Sequence, residues 1–297
     1  AMRGRFDAAV EAFRISRQHI EHEYGKLHPN TATVLDNLAS ALSERGDHEE
    51  ARQLQDRALR IRETNLGLEH PEVATSHLNM SATLVAMGDA ALSRQHAQTA
   101  LEIFRKVYGE DSLELVRPLN NLANAHAALE QPERALELRQ QALALARKHL
   151  GDEHPRVAQY RHRLGLLLAR LGRDEEAETE LRAAMDAYTK TLGAEDPSAG
   201  EPCADLAELL VTRLGRADEA VGLAERAVRL AALGEVGDAG RGSARFVLAQ
   251  ALWASQAHRD RPRARLMAQL AVRDLEGDDL RAQVEAWLGA HPAEGEP

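Results

Sequence analysis

The sequence predicts an all-α fold, a solenoid of antiparallel helix pairs. Its landmarks recur at a step of 42 residues: His28-Pro29 returns as His70-Pro71 and His154-Pro155, and Ser112-Leu113 and Asp196-Pro197 occupy the two other slots. A glycine closes each unit: Gly25, Gly67, Gly109, Gly151 and Gly193. An alanine in each second helix keeps the same step: Ala58, Ala100, Ala142, Ala184 and, after a one-residue insertion, Ala227. Markers in register indicate stacked repeats that bury each other's apolar faces.

The 42-residue step also predicts the organisation of the chain. We expect the second helix of a truncated leading repeat (1–27), five repeats (28–69, 70–111, 112–153, 154–195 and 196–233), a glycine-rich loop (234–242), a divergent sixth repeat (243–276), a capping helix (277–289) and a disordered tail (290–297). In the first full repeat the helices should run from about 30 to 44 and from about 47 to 65. Because the leading helix has an apolar side that lacks a partner, the sequence suggests a fragment of a longer protein, with a natural start as the other reading.

The composition and net charge of the chain argue against several classes of function. Lys and Arg number 37 against 47 Asp and Glu, and the net charge of −10 argues against general binding of nucleic acid or of anionic membranes. The single cysteine, Cys203, excludes an intramolecular disulfide and fits a reducing compartment. No stretch of roughly 18 apolar residues and no signal peptide is present, so we expect a cytoplasmic protein. The preference for Arg, Ala and Leu is typical of a GC-rich bacterial genome.

Several of these markers resemble the tetratricopeptide repeat. They are Leu38-Ala39 in the middle of the first helix, Gly46 at the turn, and Ala51 and Ala58 in the second helix. The longer step, the His-Pro opening and the run Asn120 to Ala123 resemble the kinesin-light-chain variety of the repeat. The resemblance covers residues 4–232 closely and 243–276 in divergent form. It implies a right-handed superhelix whose first helices line a concave groove that binds peptides.

The predicted groove residues lie on the first helices, opposite the stripe that contains Leu38. They are Asn37, Asn79, Arg117, Asn120, Asn121, Asn124, His162 and Arg163, and the same projection includes Asp36 and Leu78. Asparagine can donate to a peptide carbonyl and accept from a peptide N–H. Arginine can hold a carboxylate with two hydrogen bonds. We therefore expect a peptide partner with an acidic segment, against the alternative that these faces are only solvated.

No catalytic or cofactor motif is found. The sequence has no nucleophile elbow, Walker loop, His-Glu-x-x-His or paired-cysteine metal site, so we expect no enzymatic activity, cofactor or metal. His19, His22 and Glu23 share a helical face, but exposed histidines are the favoured interpretation over a zinc site. Gly234, Gly237, Gly240 and Gly242 are interpreted as a linker and not as a phosphate cradle, since no strand precedes them.

Two functional alternatives to a peptide-binding scaffold remain open. The ending Val284-Glu285-Ala286-Trp287-Leu288 resembles tails attached to bacterial serine/threonine kinases, which implies a regulatory or substrate-recruiting region of a larger signalling protein. The third reading is self-association through the apolar side of the leading helix, Phe6 to Ile20.

Overall fold

In the computed structural model the regular elements of the described residues, 2–233, 237–275 and 279–292, are all helices. The chain divides into two compact units, Ala1–His149 and Leu150–Pro297. The helices of the first unit are α1 (Met2–Tyr24), α2 (Pro29–Arg45), α3 (His48–Leu66), α4 (Pro71–Ala86), α5 (Ala90–Tyr108), α6 (Val116–Ala128) and α7 (Pro132–Leu150). Helix α1 packs on α2, α2 pairs with α3, and α4 pairs with α5. This unit therefore has the predicted all-α arrangement of helix pairs.

The second unit continues the same pattern. Its helices are α8 (Pro155–Arg170), α9 (Asp174–Leu192), α10 (Gly200–Thr212), α11 (Ala217–Leu233), α12 (Asp238–Ala254), α13 (Arg261–Asp274) and α14 (Asp279–Ala290). Helices α8 and α9, α10 and α11, and α12 and α13 pack as pairs, and α14 covers α13. The helix bounds predicted for the first full repeat, about 30 to 44 and about 47 to 65, agree with α2 and α3 to within about a residue.

The His-Pro landmark is a helix N-cap. The Nδ1 atoms of His28, His70 and His154 accept the backbone N–H two residues on at 3.1, 3.2 and 3.1 Å, and proline occupies the next position. Proline suits a first turn because its missing N–H has no intrahelical partner there. In the two other slots Ser112 and Asp196 accept the equivalent N–H at 3.2 and 2.9 Å, and each begins a 3₁₀ turn before its helix. The same capping hydrogen bond is therefore made by another side chain where the histidine is absent.

The glycines that close the repeats do not adopt the left-handed conformation that is common at helix ends. Gly67, Gly109 and Gly193 have φ of 84°, 81° and 103°, but their ψ values are 158°, 171° and 162°. This region of positive φ and extended ψ is accessible essentially only to glycine. The sequence pattern therefore identified the residue type correctly, while the chain leaves the helix in an extended direction and not in a left-handed turn.

We expect Gly67→Ala to lower the free energy of unfolding by about 1–3 kcal/mol, because alanine is strained at this φ and ψ. A Cβ on Gly67 would meet no atom within 4 Å, so the loss would come from the backbone alone. Gly222→Ala is the matched control: Gly222 lies inside α11, also meets nothing within 4 Å, and should become more stable by about 0.5–1 kcal/mol. Urea denaturation of both variants measures the difference, and equal effects would contradict the conformational argument.

The predicted core stripe is buried in every repeat. The large members are Leu38, Met80, Leu122, Leu164 and Leu206, and the small residue after each is also buried. Gly165 shows why that second position must be small: a Cβ there would lie 2.8 Å from Cγ of Leu181 on α9. The large and small alternation thus sets the approach of the two helices of a pair.

The two ends of the chain each differ from prediction at one place. Val10 and Phe13 of α1 pack against Leu38, Leu42 and Ala51, so much of its apolar side is already covered within the unit. The expected glycine-rich loop 234–242 is shorter than predicted, since α12 begins at Asp238 and not near residue 243.

Gly242, which was predicted to belong to the loop, lies inside α12. A Cβ on Gly242 would lie 2.7 Å from Cγ of Leu275, so this glycine allows close packing of α12 on α13 and is not part of a linker. Residues 234–236 and 276–278, and residues 293–297 of the predicted tail, lie outside the described residues.

Candidate functional site

The predicted groove residues separate into two sets with different surroundings. Asn37, Arg117 and Arg163 are exposed, and Asn79, Asn121 and Asn124 are half-buried on the same helices. The second set is buried. Its members each stand one residue before Asn37, Asn79, Asn121 or Arg163, and they are Asp36, Leu78, Asn120 and His162. Only the first set therefore presents side chains to solvent.

Asn120 and His162 do not face solvent as the helical projection predicts. Asn120 is 5% exposed, and its Nδ2 donates to the backbone oxygen of Val116 at 2.8 Å, within its own helix. His162 is 8% exposed, and its Nε2 lies 2.5 Å from Oδ2 of Asp205 on α10. Both side chains are therefore engaged inside the array and are not part of the surface that a ligand would contact.

The physical reason is that the buried set fills the seam between consecutive repeats. Asp36 on α2 accepts from the guanidinium of Arg62 at the end of α3, and the same guanidinium group lies 2.5 Å from Oγ of Ser76 on α4. A helical side chain leans toward the N-terminal turn, so a position that projects sideways meets the next helix before it meets solvent. Packing between consecutive repeats, and not contact with a ligand, therefore accounts for the type of residue at this position.

The charges of this seam balance each other. Burial raises the pKa of the Asp36 carboxyl, while Arg62, Asn79 and Arg117 act in the opposite direction. Arg62 is itself buried, with 6% of its surface exposed, and its Nε also lies 3.3 Å from Glu72. The ion pair is therefore nearly desolvated, and each charge depends on the other.

Bonds from one repeat to the preceding one hold part of the exposed set in place. Nδ2 of Asn121 donates to the backbone oxygen of Leu78 at 3.0 Å, and a terminal nitrogen of Arg117 donates to Oδ1 of Asn79 at 2.7 Å. Within the same repeat, Arg139 donates to Oδ1 of Asn124 at 2.9 Å. These bonds restrict the amide planes before any ligand arrives, which reduces the entropy lost on binding. We call Asn37, Asn79, Arg117, Asn121 and Asn124 the asparagine wall.

The sequence projection missed a second surface, on α10 in the other unit. Glu201, Asp205 and Glu208 stand two repeat steps after Arg117, Asn121 and Asn124, so extending the same projection would have found them. Burial raises the pKa of Glu208, and the charge of Asp205 raises it further, while Arg213 lowers it. Three carboxylates thus share one face of this first helix.

Arg163 is the other predicted residue in this unit, and it is exposed on α8. Its charge opposes the effect of burial on Tyr188, whose pKa is raised by that burial and by the charge of Glu201. Arg163 and Glu201 therefore act on the pKa of Tyr188 in opposite directions.

The described residues offer little to a metal or a nucleophilic mechanism. Within them, no group of three or more His, Cys, Asp or Glu side chains could hold a metal ion. Cys203 is buried, and that burial raises the pKa of its thiol, which disfavours a reactive thiolate. No helix in the described ranges is long and apolar enough to cross a membrane.

Comparisons with known proteins agree with this architecture. A family model described as tetratricopeptide repeat matches residues 1–64, 72–148 and 117–190. A structure titled a putative kinesin light chain with nearly identical TPR-like repeats, from Podosopora anserina, is 26% identical with a TM-score of 0.60, and the match covers 69% of this chain and 97% of that one. No curated protein matches the chain.

More distant structures share the fold alone. BtubC (BKLC) from P. vanneervenii is 21% identical with a TM-score of 0.61, over 78% of this chain and 90% of that one. A Rap protein, solved in complex with competence and sporulation factor, is 16% identical with a TM-score of 0.60, over 97% and 95%. Aspartyl phosphate phosphatase F from Bacillus subtilis is 17% identical with a TM-score of 0.66, over 91% and 66%.

Proposed function

The chain belongs to the tetratricopeptide repeat family, and we propose on that premise that it is a non-enzymatic scaffold that binds an extended peptide segment of a partner protein on its first helices. Proteins built from this repeat generally serve protein–protein interaction. The observation that carries the proposal is the asparagine wall of the first unit. Its side chains are polar and partly exposed, and bonds between repeats fix Asn79, Arg117 and Asn121.

The wall has the chemistry that an extended backbone requires. Nδ2 of Asn121 is engaged with Leu78, but its Oδ1 can accept a peptide N–H. Asn37 is exposed on α2, in the first full repeat, and its side-chain amide can both donate and accept. Main-chain hydrogen bonds of this kind supply affinity with little selection among side chains.

Arg117 extends the proposal to the charge of the peptide. It is exposed on α6, beside Asn79 and Asn121, and guanidinium pairs with carboxylate through two parallel hydrogen bonds. We infer that the segment bound by the first unit carries an acidic residue opposite Arg117. Because Arg117 is exposed, such an ion pair would be solvated, and its contribution to the affinity would fall as the salt concentration rises.

The test is a random 12-residue peptide library selected against the full chain, followed by affinity measurements on the best peptide. We expect the Asn37→Ala, Asn121→Ala double variant to bind that peptide about 10-fold or more weakly, because it loses two backbone contacts of roughly 1 kcal/mol each. Fluorescence anisotropy with a labelled peptide gives both dissociation constants.

Asn30→Ala is the matched control, since Asn30 is also exposed on α2 but lies at the helix start, away from the wall. Circular dichroism must show equal helicity in all three proteins. If the double variant binds as tightly as Asn30→Ala, the wall is not the binding surface. If no peptide is selected at all, the proposal of peptide binding fails.

The two alternative functions have separate tests. A regulatory region of a larger signalling protein, such as a serine/threonine kinase, stays a prediction that the sequence around this segment in its gene would test. Self-association through α1 predicts a dimer in light scattering. The packing of Val10 and Phe13 inside the first unit leaves less apolar surface for it, although Ile15 is 48% exposed.

A further inference from the structure

A pocket opens on the second unit between α8, α10 and α12. Its walls and floor are formed mainly by small residues, among them Ala204, Ala227, Ala231 and Ala244, and its rim carries Glu201 and Asp205. The floor comes from α11, the second helix of that repeat. The pocket is therefore an apolar recess with carboxylates at its mouth.

The repeat register explains why the space is empty here. Ala204 occupies the seam position that holds Asp36, Leu78, Asn120 and His162 in the preceding repeats. Ala231 occupies the position of Arg62, the residue that meets Asp36 across the first seam. Four repeats thus carry a larger side chain in this seam, and in the fifth both partners are reduced to methyl groups. The recess results from these two substitutions and is not a general feature of the array.

In the part of the chain that the structure describes, the carboxylates at the mouth form no ion pair with Arg or Lys. Within the described residues, Glu201 makes no hydrogen bond or ion pair. Asp205 uses Oδ2 toward His162, which leaves its other oxygen available. The nearby arginines do not neutralise them, since Arg213 pairs with Asp174 at 3.4 Å and Arg163 forms no ion pair with either carboxylate.

We propose that this pocket takes a lysine or arginine side chain of the partner peptide, which deepens and rests on the proposed function. The aliphatic stem would pack on the alanines, and the cationic end would lie between Glu201 and Asp205. Long basic side chains combine an apolar stem with a charged head, which matches an apolar recess with an acidic mouth. The charge is opposite to the one inferred for the segment at Arg117, so each unit would select a different part of a mixed-charge peptide.

The four alanines of the pocket allow a direct test by NMR of the full chain with ¹³C-labelled alanine methyl groups. The probes are the acetylated, amidated tripeptides Gly-Arg-Gly, Gly-Lys-Gly and Gly-citrulline-Gly, titrated to roughly 20 mM so that millimolar binding is detected. We expect the methyl signals of Ala204, Ala227, Ala231 and Ala244 to move with the arginine or lysine probe. The citrulline probe, which has the same shape without the charge, should bind about 10-fold more weakly. Comparison of the two cationic probes decides between arginine and lysine.

Two variants test the charge and the space separately. Glu201→Gln should weaken the cationic probe several-fold without a change in volume, whereas Glu137→Gln on α7, in the other unit, should have no effect. Ala204→Leu introduces the side chain of the equivalent residue Leu78 and should abolish binding. If Ala204→Leu does not fold, Glu201→Gln still decides the question.

The proposal is overturned if citrulline moves the alanine signals as strongly as arginine, if Glu201→Gln binds like wild type, or if no cationic probe moves them. A selected library peptide that binds the asparagine wall while the tripeptides fail would remove the pocket alone. Tripeptide binding without any selected peptide would leave the pocket and remove the proposed function.

Discussion

Arg62→Ala is expected to lower the free energy of unfolding by about 3–5 kcal/mol, the largest effect of any single substitution considered for this chain. The reason is that Asp36 is buried beside this guanidinium, with 7% of its surface exposed, and would be left as an unpaired charge. Ser76 would lose a hydrogen-bond donor at the same time. Urea denaturation followed by circular dichroism measures the loss.

The repeat itself supplies the matched rescue. One step later the same two positions hold Leu78 and Phe104, both buried. The Asp36→Leu, Arg62→Phe double variant should therefore return to within about 1 kcal/mol of wild type, since a well-packed apolar pair can replace a buried ion pair. If the double variant is as unstable as Arg62→Ala, or if Arg62→Ala is nearly neutral, the account of the seam is wrong.

The second large effect is a loss of stability in acid that arises from His77 and His96. Their Nδ1 atoms lie 2.8 Å apart across α4 and α5. Burial, together with the positive charge of a protonated His96, lowers the pKa of His77 to about 4. Burial also lowers the pKa of His96, while Asp56 acts in the opposite direction.

The direction in which stability changes with pH depends on whether the folded or the unfolded chain binds the proton at the higher pH. The unfolded chain protonates His77 near its ordinary pKa of about 6.5, whereas the folded chain resists until about 4. Stability should therefore fall as the pH falls from about 6.5 to 4, by on the order of 1–2 kcal/mol for this half-exposed pair after allowance for solvent screening. The measurement is the free energy of unfolding at several pH values in that window.

The neighbouring repeats indicate how to remove this pH dependence. The equivalent positions hold Leu35 with Leu54, Leu119 with Leu138, and Arg161 with Glu180, the last pair 3.0 Å apart. We expect the His77→Leu, His96→Leu variant to be more stable than wild type at pH 5 and to lose most of the slope. The exposed histidines provide the control, because a His19→Gln, His22→Gln variant should keep the wild-type slope. An unchanged slope in the leucine variant would contradict the assignment.

The repeat step predicted the helices well because each unit carries the same local signals. These signals are the proline after the cap, the glycine at the turns and the buried leucine in the first helix. Each depends only on nearby residues, so each can be identified from the sequence alone. The projection failed at Asp36, Asn120 and His162 because it considered one helix alone, whereas the seam is formed with the next repeat. Leu78, an apolar residue at that position, was the available signal that the position is buried.

Other parts of the site needed the structure for different reasons. The 42-residue step could have predicted Glu201, Asp205 and Glu208. They were missed only because the projection stopped one repeat before them. The pocket beside them could not be predicted, since an alanine in a helix does not reveal whether its neighbours fill the space. His77 and His96 become recognisable as a pair once the same spacing of 19 residues is seen to join Arg161 to Glu180.

The most direct test of the central claim, that the first helices bind peptide, is hydrogen–deuterium exchange of the full chain with and without the selected library peptide. Backbone amides in α2, α4 and α6 should exchange more slowly in the complex, because ligand binding to the folded state suppresses local opening. The second helices α3 and α5 should change little. Protection confined to α3 and α5 would place recognition on the opposite face and contradict the account.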